Sequence, residues 1–313
     1  MTGVIAMVLL ALIVPVQTAP ASGTQSAVPA TGQKAVAPVV PNPHTGFEVR
    51  IPAGETPITM PVIQPVGPGK VDWSYQTIQA TGMSVVDPAR PRAQAIAMAI
   101  RGAKVDAQRN LLETIKGVRV VSETKVEDLM VKGDYVYTKI DGVIKGATVV
   151  GEPRETPDGR VEVTMQVPMY DAGGIAPPLV DKLVPKPPIQ KSLSGEDQVT
   201  AQSLSGVVFD LTGVNVEPQM FPTLVDSSGN TLLDMAALYK LLGPEAFKRF
   251  KYVKTMADIL GDKDLRSNPT VIKIIEAVEK GWVVAKDDVK KVSWLEKALE
   301  IVFKVGKTVA LFL

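Results

Sequence analysis

Between Asp87 and Gly117 the sequence keeps one strict period, and that period limits the folds open to the chain. Ala93, Ile96, Ala97, Ile100, Ala103, Ala107, Leu111 and Ile115 recur at spacings of three and four, while Arg92, Arg101, Lys104, Gln108 and Arg109 take the other sides. This is a helix with one apolar face. Asp87 supplies an N-cap, Pro88 suits a first turn, and Gly117 closes the helix as a C′ residue. Such a face must be buried, and the flanking residues offer a sheet. Residues 71–85, with Trp73, Tyr75, Thr77 and Ile78, read as a strand. Residues 118–126, 135–150 and 160–169 read as three more, the last alternating through Val161, Val163, Met165 and Val167. Pro157-Asp158-Gly159 makes a hairpin turn before it. Residues 71–170 are therefore expected to form an α+β module of the strand-helix-strand-strand type, its helix lying across an antiparallel sheet.

Proline and glycine, 25 of each, mark the boundaries of this module. Residues 22–70 are rich in Pro, Ala, Val and Thr without a period of 2 or 3.6, and read as an extended linker. In polyproline geometry, at ~3.1 Å per residue, it reaches on the order of 150 Å, which suits a tether as well as it suits disordered filler. A second break at 171–204 carries Pro177, Pro178, Pro185, Pro187 and Pro188 and predicts a division into two globular parts. The part at 205–313 reads as a second α/β or α+β domain. It has a strand at 206–211, a turn at Ser227-Ser228-Gly229-Asn230 and an ambiguous stretch at 232–260. A helix at 286–303 capped by Asp287 follows, and an apolar last strand at 305–313 requires burial inside a sheet.

Residues 4–14 are an unbroken apolar run, followed by Pro15 and the small-x-small site Ala19-Pro20-Ala21. This pattern predicts a signal peptide over residues 1–21, although no Lys or Arg precedes the run. The run is too short to span a bilayer. Export is the resulting expectation.

The chain has no cysteine and one histidine, His44, so thiolate nucleophiles, disulfides and cysteine zinc sites are excluded. His44 sits among Pro41, Pro43 and Gly46, where a catalytic triad would lack support. With 34 Lys and Arg against 33 Asp and Glu, a net charge of +1, the chain exerts little pull on nucleic acid. Glu127-Asp128 and Asp287-Asp288 are neighbours whose side chains diverge, and they read as solvated charge. Asp262-Lys263-Asp264 begins like a calcium loop, but Ser267 and Lys273 stand where Gly and an acidic ligand are needed. Gly173-Gly174 is followed by Pro177-Pro178 and not by a phosphate-holding helix. No catalytic, cofactor or metal residue is therefore expected. The candidate feature is a stripe of small residues, Ala99, Ala103 and Ala107, that suits either a tight contact with another subunit or close packing on the chain's own sheet.

The run from Ala103 to Val118, followed by Ser122-Glu123-Thr124 and by Gly142-Val143-Ile144-Lys145-Gly146-Ala147, resembles a bacterial envelope family. That family includes the flagellar outer-membrane lipoprotein FlgP, and its N-terminal module is similar to that of the flagellar ring protein FlgT. Gly206-Val207-Val208-Phe209-Asp210, Pro218, Pro222-Thr223-Leu224-Val225-Asp226 with Gly229, and Asn268-Pro269-Thr270-Val271-Ile272-Lys273 extend the resemblance over most of residues 71–313. It implies a structural protein for ring or disk assembly, without catalytic residues or cofactors. The expected partners are further copies of the chain and other envelope or flagellar proteins. Family lipoproteins are anchored through a lipidated cysteine that this chain lacks, so a periplasmic or outer-membrane-associated form without a lipid anchor is expected. A second reading from another class is a periplasmic binding module with its site between the two parts. A third, a carboxylate-dependent hydrolase, has no acid pair with suitable spacing.

Overall fold

The computed structural model describes residues 39–41, 48–50, 56–131, 134–186 and 193–313. The expected signal peptide, His44 and most of the 22–70 segment lie outside the described residues. Strands β1 (Val39–Pro41) and β2 (Glu48–Arg50) pair antiparallel. The chain then builds β3 (Ile63–Val66), β4 (Gly69–Asp72), β5 (Thr77–Val85) and α1 (Arg92–Lys116). Next come a short hairpin, β6 (Arg119–Val121) and β7 (Thr124–Lys125), and two helices, α2 (Val126–Val131) and α3 (Asp134–Lys145). Strands β8 (Thr148–Glu155) and β9 (Arg160–Pro168) complete an antiparallel sheet ordered β3-β4-β5-β9-β8.

The fold is α+β, with α1 lying across this sheet; the expected face holds from Ala103 to Ile115, but in the first turns Ala93 and Ala97 are exposed, Ile96 and Ile100 are partly buried, and Ala95 and Ala99 face the sheet instead. Ala95, Ala99, Ala103, Ala107, Leu111 and Ile115 are buried. Close approach is possible because β5 carries Gly82, where an added Cβ would come within 3 Å of Ala107 N and Ala103 O. Beyond the end of β4, the helix also serves as a partner for β5. Asn110 Nδ2 donates to Thr81 O at 2.8 Å, and Met83 N donates to Asp106 Oδ2 at 2.9 Å, so backbone groups left without a strand are satisfied.

The strand expected at 71–85 is instead a hairpin, turned at 73–76. The Asp72 carboxylate accepts from Ser74 N at 3.1 Å and Tyr75 N at 2.9 Å, and Gln76 adopts a φ of +58°. Regular structure also starts earlier than expected, so residues 63–70, read as the end of the linker, belong to the sheet. Asp87 does not cap α1: it closes a turn by accepting from Ala89 N, and Pro91 occupies the N-cap position. The strand expected at 135–150 is helix α3 up to Lys145. Its Val136, Ile140 and Ile144 lie one turn apart and are buried, and that period outweighs the β-favouring content of the segment.

The stretch expected as a second linker carries helices α4 (Ala176–Leu183) and α5 (Gly195–Ser203). After it come β10 (Val207–Asp210), β11 (Thr223–Val225), β12 (Thr231–Asp234), α6 (Met235–Leu242) and α7 (Pro244–Phe247). Then follow β13 (Phe250–Val253), α8 (Met256–Gly261), β14 (Thr270–Val278), β15 (Gly281–Val284), α9 (Val289–Lys304) and β16 (Val309–Phe312). These strands form a mixed sheet ordered β12-β11-β15-β14-β10-β16-β13. β16 lies between β10 and β13 with Val309, Ala310 and Leu311 fully buried, the placement its apolar sequence requires. Neither Asp287 nor Asp288 caps α9 by a side-chain bond; Asp288 accepts from Lys273 N at 2.8 Å instead.

Residues 37–313 make one compact unit, and aromatic residues close the seam between its two sheets. Tyr170 meets Phe221, Tyr239, Phe247 and Phe250 at centroid distances of 5.6–6.3 Å, and Trp73 meets Tyr252 edge-on at 5.5 Å. The turn at 73–76 covers the outer edge of β13. Ser74 Oγ donates to Tyr252 O at 2.8 Å, and Gln76 Nε2 donates to Phe247 O at 2.9 Å and to Phe250 O. An edge strand masked in this way cannot recruit another strand.

Candidate functional site

Ala99, Ala103 and Ala107 all face the chain's own sheet, at 2% exposure or less. The structure thus brings the stripe against β5 and leaves none of it on the surface. Glu127 is exposed at the start of α2, whereas Asp128 accepts from Lys125 N at 2.7 Å.

Asp262 and Asp264 are buried, because the loop after α8 folds back over β13 and the start of β16. Asp262 Oδ1 accepts from Asp264 N at 2.8 Å and Leu265 N at 3.2 Å; its Oδ2 accepts from Lys251 Nζ at 2.7 Å and Thr308 Oγ1 at 3.1 Å. Asp264 Oδ2 accepts from Arg249 Nη2 at 2.9 Å, and Lys307 Nζ stands 3.5 Å from Oδ1. Burial pushes the Asp262 carboxyl up, but Lys251 and the two backbone N–H groups outweigh it and hold the group below its ordinary value. Three cations around two carboxylates leave these oxygens no opening for a calcium ion or a general-acid role. Among the described residues, no group of three His, Cys, Asp or Glu side chains is placed to hold a metal.

Beside this cluster, residues 56–59 are strapped along α8. Asp258 Oδ1 accepts from both Thr59 N and Thr59 Oγ1 at 2.6 Å, and Thr56 Oγ1 donates to Gly261 O at 3.2 Å. The strap has no signature in the sequence, since Thr59 and Asp258 are far apart along the chain.

A cleft of about 340 Å³ opens where the β6–β7 hairpin, the segment before β11 and the β14–β15 hairpin converge. Arg119 enters it from β6. Its Nε and Nη2 donate to Glu217 Oε2 at 3.1 and 2.7 Å, and its Nη1 donates to Ser122 O at 2.7 Å. Ser122 holds a φ of +42°, the left-handed turn that tightens this hairpin. Gln219 is fixed through its backbone: Tyr252 Oη accepts from Gln219 N at 2.9 Å and donates to Gln219 O at 2.8 Å. Its side chain is buried, and its Oε1 has no hydrogen-bond partner. Buried Trp282 and the exposed Glu123 and Glu279 complete the part of the wall that matters chemically. Sequence reasoning missed every one of these residues as a site, because no spacing connects segments so far apart.

A third feature is a surface. On β14, which lies between β15 and β10, Ile272 and Ile274 are fully buried, while Val271 and Ile275 are 47% and 54% exposed. Met256 and Leu260 on α8 are also exposed. No helix of the described residues is long and apolar enough to cross a membrane. No family model matches this chain, and no curated protein does.

Proposed function

We propose that this chain is an exported, non-enzymatic structural protein that assembles with copies of itself in an outer-membrane-associated complex of the flagellar disk or ring type. The observation that carries the reading is the pair of exposed aliphatic side chains on β14, Val271 and Ile275. Val271 and Ile275 are left half in water on either side of Lys273, which is held by Asp210 and Thr212. Exposed aliphatic groups on a paired strand, one of them pushed outward at the irregularity between Ile274 and Glu276, suit a protein contact. The saturated carboxylates at Asp262 and Asp264 support a structural role for the most buried charges. The apolar run at residues 4–14 and the Ala19-Pro20-Ala21 site support export, with the mature chain in the periplasm or at the outer membrane, and other envelope or flagellar proteins as its further partners.

The occupant of the β14 face in this reading is a second copy of the chain. A stable interface of this kind buries about 1,200–2,000 Å² in total. Sedimentation of the mature chain at rising concentration tests it: wild type is expected to associate, and the Val271→Lys, Ile275→Glu variant to stay monomeric with an unchanged circular-dichroism spectrum. A strict monomer at high concentration that recovers no envelope partner would sink the proposal.

A further inference from the structure

The geometry points to a second site: we infer that the cleft at Arg119, Gln219 and Trp282 binds a small organic cation, a protonated alkylamine. This goes beyond the assembly reading and stands whether or not the chain oligomerises.

Three observations select that ligand class. The first is size, since about 340 Å³ lies within the range of small-molecule sites. The second is charge. Arg119 donates to Glu217 and to the Ser122 carbonyl, an ion pair that sets one charge against the other and leaves the carboxylates of Glu123 and Glu279 in excess along the wall. Lys280, next to Glu279 on the same hairpin, places its ammonium beside Gly229 in the turn between β11 and β12 and is not part of the cleft wall. An anion would meet repulsion here, while a cation meets two carboxylates.

The third observation is the amide of Gln219. A side chain that is 2% exposed with its carbonyl Oε1 unpaired is costly to the empty protein, because a buried acceptor without a donor has lost its water and gained nothing. Tyr252 holds the Gln219 backbone at both N and O, while the side chain keeps its own torsional freedom. A turn of that side chain towards the cleft gives Oε1 an ammonium N–H as its missing donor, and the carboxylates balance the ligand's charge. Trp282, 3% exposed in the same wall, offers indole surface to the methylenes of the ligand.

Calorimetric titration of the full chain with 1,4-diaminobutane and with Nα-acetyl-lysine amide tests the inference, with 1,4-butanediol and acetate as controls. Saturable binding of the amines and none of the controls is expected, with affinity falling as salt is raised from 50 to 500 mM. Tighter binding of the diamine assigns a free amine as the ligand, and tighter binding of the lysine derivative assigns a lysine side chain; both outcomes support the alkylammonium site. Gln219→Met is expected to weaken binding about tenfold to a hundredfold while melting at or above the wild-type temperature, since it removes an unpaired acceptor. Glu279→Gln, on an exposed hairpin and harmless to folding, is expected to weaken binding and flatten the salt dependence. Absence of a saturable signal at millimolar amine, or binding unchanged in both variants, overturns the site.

Discussion

The substitution Asp72→Asn should make the protein more stable at neutral pH, although it removes a charge that accepts two hydrogen bonds. Burial drives the Asp72 carboxyl up from 3.8 to about 6, against the opposing pull of Tyr75 N, Ser74 N and Lys70. In the unfolded chain the group titrates near its ordinary value. Between these two values the folded protein binds more protons than the unfolded one, so Asp72 makes stability fall as the pH rises from about 4 to about 6 and adds no further slope above 7. At 1.36 kcal/mol per pH unit, a shift of about two units corresponds to about 3 kcal/mol. The asparagine side chain keeps an acceptor oxygen for Ser74 N and Tyr75 N in the same turn and does not titrate. The difference in unfolding free energy, variant minus wild type, is therefore expected to rise by about 2 kcal/mol between pH 4 and pH 7, the remainder lying below pH 4. Urea unfolding at pH 4, 5, 6 and 7 measures it, and every other titrating group cancels in the difference. A flat or falling difference would refute the reasoning, because it would mean that the hydrogen bonds and Lys70 hold the carboxylate charged against burial.

Two other substitutions test the packing. Gly82→Ala places a methyl group within 3 Å of the Ala107 and Ala103 backbone, and since helix and strand are both rigid there, a loss of about 3 kcal/mol or more is expected, read as a fall in melting temperature. Tyr252→Phe removes the hydroxyl that bonds both Gln219 N and Gln219 O in the seam. It should cost about 1–3 kcal/mol in urea unfolding; a cost near zero would mean that water replaces the hydroxyl.

Much of the fold was legible because its signals are local. The alternation of Val161, Val163, Met165 and Val167 placed β9, the turn Pro157-Asp158-Gly159 joined it to the strand before it, and the apolar run at 305–313 placed a last strand inside a sheet, where β16 takes only its second half. Helix α3 was misread because Tyr135, Tyr137 and Thr138 favour strands by type, and only the four-residue spacing of Val136, Ile140 and Ile144 records their true environment. The prolines at 177 and 178 read as breakers, yet Pro is well placed in the first turn of α4. The cleft was invisible for a different reason. Arg119, Gln219 and Trp282 become neighbours only through the stacking of segments around Tyr170 and Tyr252, and no one-dimensional period encodes that.

The position of β16 has a kinetic consequence. Val207 pairs with Val309 across about a hundred intervening residues, and such distant pairings slow folding. β13 cannot join the second sheet until residues 309–312 have been synthesised and have inserted between it and β10. A nascent chain therefore lacks the strand that joins β13 to β10 throughout most of translation. Under the export reading proposed above, that delay keeps the polypeptide threadable until translocation is under way.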